Sequence, residues 1–370
     1  MKLQKGFLFL GGLILAAGCA TTPDVPPSLS NAAKPAWSVK ATPSDMIVAV
    51  SPAGKTLKVA GTTGLVLGSG ADAVVNAVYR DRIHDALKDY KPAEAFEKIL
   101  SERLDAAVTS ELKSVAPLGS TAGFQSRQDV IDVRYEDLAK DDYDLVLDLV
   151  TQYGIYGPSG ILAVRLDGKL VQLPGIDTVW SDTLVVTNDL VLADTDLGDP
   201  TSRQGINVTS PQFTVDDEAV NRWTAEGGKI LRERFESAVQ DSASTLLYAL
   251  GLEQSATGAY HMGKLAMNRK KFEEASVHFK KAISLASDSA DATNAYAVAL
   301  SHNKQVDDAI RMCSELVSAQ SEYGPAHYNL AWWYATEKKN ASNAKIHYDK
   351  ARSLGMPENE KIEKAINKGS

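Results

Sequence analysis

Three stretches decide the fold of the C-terminal third: GKLAMNRKKFEEASVHFKKAISL (263–285), AVALSHNKQVDDAIRMCSELVSA (297–319) and AWWYATEKKNASNAKIHYDKARSL (331–354). They align with a period of about 34 residues, and the third gains one residue in the turn KKNASN. The positions that recur with this period are mostly small or aromatic: Gly263, Ala297 and Ala331; Ala275, Ala309 and Ala344; Phe279, Cys313 and Tyr348; Ala282, Leu316 and Ala351. A fixed period of this length predicts stacked structural repeats.

Each repeat is predicted to be two antiparallel helices, whose backbones approach closely where the residues are small. One such pair cannot bury its apolar face alone, so three pairs stack into a continuous core. The pattern resembles the tetratricopeptide repeats and covers roughly 256–357. After Pro357, the stretch ENEKIEKAI has one apolar stripe, Ile362 and Ile366, which predicts a solubilising cap helix.

In the tetratricopeptide family, the first helices line a concave groove that binds peptides or partner proteins, so the resemblance implies such a groove here. The matching positions are Tyr260, Lys264, Asn268, Asn294, Val298, His302, Tyr328 and Trp332. Tyr328 and Trp332 lie one helical turn apart, and rigid aromatic rings are favoured at binding hot spots. These side chains could instead pack internally or against the middle of the chain. A clamp for a C-terminal carboxylate is not expected, because Tyr260 stands where it needs Lys.

The N-terminal stretch MKLQKGFLFLGGLILAAGC (1–19) has a short basic head and an apolar run that ends on small residues before Cys19. This order predicts a secretory signal peptide over 1–18, and its end resembles the lipobox of bacterial lipoproteins. The resemblance implies that Cys19 carries a diacylglyceryl group and becomes an acylated N-terminus. Because Ala20 replaces the Asp that often retains such proteins in the inner membrane, we expect an outer-membrane anchor facing the periplasm.

Residues 19–43 are predicted to be the lipidated cysteine and a flexible tether, since they are rich in Pro, Ser, Thr and Ala. Residues 44–252 alternate strand-like and helix-like patterns, and 256–370 hold the repeats and the cap. The expected strands are 46–50, 142–156, 161–173 and 177–186, and the expected helices are 72–88, 93–113 and 217–250. In the last helix Trp223, Ile230, Phe235, Val239 and Leu246 are predicted to face inward.

That order predicts an α+β fold, a mostly antiparallel sheet with packed helices, followed by the all-α tetratricopeptide-type repeat. The middle domain is similar in element order to the periplasmic domains of lipoproteins of the curli-secretion and cell-wall-synthase-activator families.

The composition restricts the function further. The net charge is −8, whereas 256–370 holds 16 Lys and Arg against 13 Asp and Glu, so the rest of the chain is strongly acidic. This balance disfavours nucleic acid as a partner. With Cys19 acylated, Cys313 has no disulfide partner and is expected to be buried. The six His are scattered without metal-binding spacing, so no metal and no cofactor are predicted.

Three stretches mimic catalytic or ligand-binding motifs. AVSPAGKT (49–56) matches a relaxed P-loop, but the residues after it are extended and Gly-rich rather than helical, so no nucleotide is expected. GSGADA (68–73) mimics a dinucleotide fingerprint but lacks the βαβ continuation. The loop 192–205 opens like a calcium loop but lacks its sixth Gly and twelfth Glu.

These observations predict a non-catalytic adaptor on the cell envelope that binds another protein through its repeats. The first alternative is an oligomeric secretion or envelope-assembly component. The second is an enzyme acting on peptidoglycan or polysaccharide through carboxylates between 142 and 200, among which Asp144 and Asp148 are predicted to be solvated.

Overall fold

The computed structural model describes residues 29–49, 70–117, 128–194 and 215–369. Several sequence predictions lie outside the described residues: the signal peptide, Cys19, residues 50–56, residues 68–69 and the 192–205 loop beyond Asp194. Residues 70–73 of the GSGADA motif begin a helix.

The middle domain contains a mixed sheet. Its strands are β1 (Pro35–Ala41), β2 (Ile47–Val48), β3 (Lys113–Ser114), β4 (Leu145–Tyr156), β5 (Ile161–Gln172) and β6 (Asp177–Thr187). The order is β3-β1-β4-β5-β6, and β2 also pairs with β4. The longest ladders, β4 with β5 and β5 with β6, are antiparallel, whereas β1 runs parallel to both β3 and β4. The α+β fold followed by a helical repeat is confirmed.

The tether predicted over 20–43 is wrong for residues 29–41. Leu29–Asn31 form a 3₁₀ turn, and residues 35–41 form β1, which lies between β3 and β4. Trp37 is buried in the main core. The strand is held by ladder hydrogen bonds to β4, so tertiary pairing overrides the tether-like composition.

Helices cover both faces of this sheet. They are α1 (Gly70–Ala86), α2 (Pro92–Ala107), α3 (Gln128–Lys140) and α4 (Asp217–Ala249). Alternate residues of β4 point to opposite sides: Leu145, Leu147 and Leu149 join the core that contains residues of α1, α2 and α4. Val146 joins a smaller cluster with Tyr135 of α3 on the opposite face. This alternation is the period-2 pattern of a strand covered on both faces.

One helix prediction needs correction, and one helix was missed. The helix expected over 93–113 ends at Ala107, and residues 113–114 form the short edge strand β3 instead. Helix α3 was not predicted from the sequence at all.

The closing helix is kinked, which corrects the prediction for Ile230. Residues Ala225 to Gly228 depart from helical geometry, and three of them have a positive φ. The break shifts the phase of the apolar stripe, so Trp223 and Phe235 are buried while Ile230 is 37% exposed. A Cβ at Gly228 would lie 2.9 Å from both Cβ and the carbonyl oxygen of Ala86, so glycine lets α4 approach the end of α1.

The repeat consists of three helix pairs and a cap. The helices are α5 (Ala256–Asn268), α6 (Phe272–Leu285), α7 (Ala290–His302), α8 (Val306–Ala319), α9 (Gly324–Thr336), α10 (Ala341–Ser353) and α11 (Glu360–Gly369). The first helices α5, α7 and α9 start at equal intervals, and α10 starts one residue late, as the alignment predicts. A Cβ at Gly263 would lie 2.5 Å from the Phe279 ring, so this position of the first repeat has room only for glycine. Cys313 is fully buried.

Within the described residues, none of the helices combines the length and apolarity needed to cross a membrane.

Candidate functional site

The chain's own residues 187–194 lie on the repeat, along the face formed by the first helices α5, α7 and α9. We call this stretch the cis segment and that surface the first-helix face. The cis segment begins where β6 ends, and it links the middle domain to the repeat through hydrogen bonds from each first helix in turn. The first-helix face is where the sequence predicts a peptide-binding groove.

Lys264 of α5 binds the beginning of the cis segment. Its Nζ donates to the carbonyl oxygens of Thr187 (3.0 Å) and Asp189 (2.9 Å) and to Oδ1 of Asp189 (2.8 Å). The Lys264 side chain is only 7% exposed. Burial alone would raise the pKa of Asp189, but the Lys264 ammonium and the Thr187 hydroxyl together hold that pKa below its usual value. The pair therefore joins a buried ammonium to a half-buried carboxylate, and it is a charged contact between the two domains.

Two fully buried amides, Asn294 of α7 and Asn329 of α9, bind the middle of the cis segment through its backbone. Nδ2 of Asn294 donates to the carbonyl oxygen of Val191 (2.8 Å), and the N–H of Ala193 donates to Oδ1 of Asn329 (2.7 Å). Nδ2 of Asn329 also donates to Oδ1 of Asn294 at 2.8 Å. These bonds recognise the peptide backbone rather than particular side chains.

Asp194 ends the cis segment with a carboxylate that accepts two hydrogen bonds. The Tyr328 hydroxyl of α9 and Nδ2 of Asn359, just before α11, both donate to Oδ2 of Asp194 at 2.7 Å. Nδ2 of Asn359 also lies 2.8 Å from the Tyr328 hydroxyl, which completes a three-residue cluster. The described part of the cap thus contributes to the same site as the repeats.

The cis segment alternates as an extended peptide does. Thr187 is buried and Asp189 is half-buried on the repeat, whereas the residue after each of them, Asn188 and Leu190, is exposed. Further along, Val191 and Ala193 pack against the apolar core of the repeat, and Leu192 packs against the cap cluster. Apolar contacts and backbone hydrogen bonds therefore act together.

A second contact between the domains lies beside the cis segment. Arg269, at the end of α5, donates to Oδ1 of Asp182 (2.7 Å) and to the carbonyl oxygen of Thr183 (2.9 Å), both on β6. The repeat is therefore held against the last strand of the sheet as well.

Three of the predicted residues, Lys264, Asn294 and Tyr328, contact the cis segment. The others lie elsewhere. Tyr260 packs against Phe279, and Val298 is buried in the core of the repeat. His302 stacks on Phe272 with ring centroids 4.5 Å apart. Trp332 lies under the Lys361 ammonium (4.5 Å to the ring centroid) rather than forming an exposed aromatic face with the buried Tyr328. Asn268 is half-buried, with no hydrogen bond to the cis segment in the described structure.

Sequence reasoning missed Asn329, Asn359 and the cis segment itself. Asn329 carried a usable signal, because an amide inside the apolar run AHYNLAWWYA is buried and must find hydrogen-bond partners. The cis segment carried none, because its partners on the repeat are distant from it in the chain.

Two of the carboxylates considered for catalysis, Asp144 and Asp148, accept hydrogen bonds that hold β1 and α3 to the sheet. Asp144 accepts from the backbone N–H groups of Ala33 (2.7 Å) and Lys34 (3.0 Å). Asp148 is buried rather than solvated as predicted, and its two oxygens accept from the hydroxyls of Ser38 and Tyr135, each at 2.9 Å. Across the described ranges, no group of three His, Cys, Asp or Glu side chains is placed to hold a metal ion.

Two histidines meet at the third repeat, next to the site. The Nδ1 atoms of His327 and His347 lie 3.1 Å apart, and Nε2 of His327 lies 3.1 Å from the carbonyl oxygen of Ser321. With both rings neutral, Nε2 of His327 donates to Ser321 and its Nδ1 accepts from His347. Burial, together with the neighbouring His327, lowers the pKa of His347 to about 4.

We expect this pair to destabilise the repeat in acid. The unfolded chain binds a proton at His347 near pH 6.5, whereas the folded ring does so only near pH 4. The unfolded state therefore holds more protons between these values, and stability falls as the pH falls through this window. His347→Phe can retain the stacking on Tyr334 and should weaken the dependence. The test compares the fall in melting temperature from pH 7.5 to pH 5 between the wild type and His347→Phe. An equal fall in both proteins would contradict the role of His347.

No protein-family model matches the chain. No curated protein matches it either. Among solved structures, the chain is similar to a dodecamer of a PelC point variant from Paraburkholderia phytofirmans, at 14% identity over 44% of this chain and 76% of that chain, with a TM-score of 0.19. Similarity at this level carries no inference about function.

Proposed function

We propose that the protein is a non-catalytic scaffold of the bacterial cell envelope, anchored by lipid at Cys19, that binds a partner protein through its helical repeat. One observation supports the binding role above the others. The first-helix face holds an extended peptide by its backbone, through Lys264, Asn294 and Asn329. Side chains arranged in this way are suited to recognising a peptide.

The proposed location follows from the N-terminal sequence. The basic head, the apolar run and the small residues before Cys19 are typical of an exported lipoprotein, and Ala20 favours the outer membrane. Such a protein works on the periplasmic face, where the strongly acidic middle domain and the repeat would meet other envelope proteins. A ring-forming assembly component would use the same anchor, and the size of the detergent-extracted protein separates it from a monomeric adaptor.

Affinity capture from envelope membranes tests the binding role. We compare the wild-type chain with Tyr328→Ala/Trp332→Ala and with the milder Tyr328→Phe. Val277→Ala/Ile346→Ala is the matched control, because both residues are exposed on second helices. We expect Tyr328→Ala/Trp332→Ala to recover little of a partner that the control retains. Tyr328→Phe should recover an intermediate amount of that partner. Equal recovery of that partner by all four proteins would overturn the proposal.

A further inference from the structure

The contacts of the cis segment define a class of ligand. Its two carboxylates, Asp189 and Asp194, are five residues apart, which corresponds to about 16 Å in an extended chain. One is bound by an ammonium group and the other by a hydroxyl and an amide. Between them the first-helix face contacts backbone groups and the apolar side chains of Val191 and Ala193.

The polar groups of this face require a ligand when the cis segment leaves. Lys264, Asn294 and Asn329 are all buried, and a buried polar group without a partner is destabilising. An incoming peptide satisfies them only if it supplies backbone carbonyl and N–H groups in register, with a carboxylate near Lys264. The face therefore selects for the same chemistry that the cis segment presents.

We propose that the first-helix face binds, in place of residues 187–194, an extended acidic peptide of a partner protein with two carboxylates five residues apart and small apolar residues between them. This inference rests on the proposed scaffold function and names the partner's binding motif. The cis segment is attached directly to β6, so its local concentration is on the order of millimolar. It competes with the partner, and the face is accessible only for the fraction of time that the cis segment is released.

A labelled peptide with the sequence of residues 187–194, TNDLVLAD, tests this on the full-length mature chain in detergent. The variant Asp189→Asn/Asp194→Asn weakens the cis segment, and Asp177→Asn, at the exposed start of β6, is the matched control. We expect the double variant to bind the peptide at least ~10-fold more tightly than the wild type or the control, since more of the face is open. A peptide with Asn at both Asp positions should bind at least ~10-fold more weakly, because it lacks the charge that faces Lys264.

A folded double variant that binds neither peptide, or binds both equally, would overturn the inference. If the double variant does not fold, Asp194→Asn alone replaces it, because the ion pair of Lys264 with Asp189 is then intact. A rise in its melting temperature with about 1 mM TNDLVLAD, a concentration comparable to that of the tethered segment, supports the inference, and no rise overturns it. If peptide binding fails while membrane capture still depends on the repeat, the scaffold function stands and only the motif is wrong.

Discussion

Replacing Lys264 by Met should lower the free energy of unfolding by about 3–5 kcal/mol, the usual loss when one partner of a buried ion pair is removed. The Met side chain fills a similar volume but cannot donate hydrogen bonds. Asp189 would then retain a charge next to the repeat without the ammonium that offsets its burial, and two carbonyl oxygens would lose their donor. Urea unfolding followed by the far-ultraviolet signal measures the loss.

The control is Lys271→Met, the same substitution in the same repeat. Lys271 pairs with Glu274 at 3.0 Å, but both side chains are well exposed, so the expected loss is below about 1 kcal/mol. Asp189→Leu combined with Lys264→Met should recover part of the stability, because no unpaired charge is left. If Lys264→Met and Lys271→Met cost the same, the cis segment does not hold the two domains together as described.

Replacing Cys19 by Ser should release the mature chain from lipid. A serine hydroxyl cannot form the thioether of a lipoprotein, and each buried CH₂ of an acyl chain contributes ~0.8 kcal/mol to membrane binding. Loss of several chains should therefore reduce vesicle binding by at least ~1,000-fold. The variant is exported behind a leader with an ordinary cleavage site, so that no uncleaved apolar segment is left on the protein, and is then mixed with vesicles and sedimented.

Cys313→Ala is the matched control, because Cys313 is the other cysteine and is buried in the repeat. It should retain the anchor and incorporate labelled fatty acid as the wild type does, whereas Cys19→Ser should incorporate none. Sedimentation of the Cys19→Ser protein with vesicles, or a wild-type protein that keeps residues 1–18, would refute the anchor.

The local patterns of the sequence predicted much of the fold. Within the repeat, Gly263 and Phe279 meet in one helix pair, and contacts of that kind recur in each repeat, so self-similarity alone gives the architecture. Strands β4 and β5 were predicted because their residues alternate or form apolar runs of strand length. In both cases the deciding contacts are local or repeated.

The first-helix face shows the limit of such reasoning. Its position, and three of the residues that contact the cis segment (Lys264, Asn294 and Tyr328), followed from the family resemblance, but the occupant of the face did not. The burial of Asp148 was also beyond the reach of a local pattern, since its partner Ser38 lies on a strand distant in sequence.

By itself, the sequence determined the helical repeat and the order of most elements, because each is encoded by neighbouring or periodic residues. Only the tertiary structure decided that residues 35–41 form a strand and that residues 187–194 fill the first-helix face. It also decided that α4 is kinked before Ile230, which changes the residues that face the core. Those outcomes depend on partners far apart in the chain, and the free energy of such contacts is set by packing and desolvation rather than by local composition.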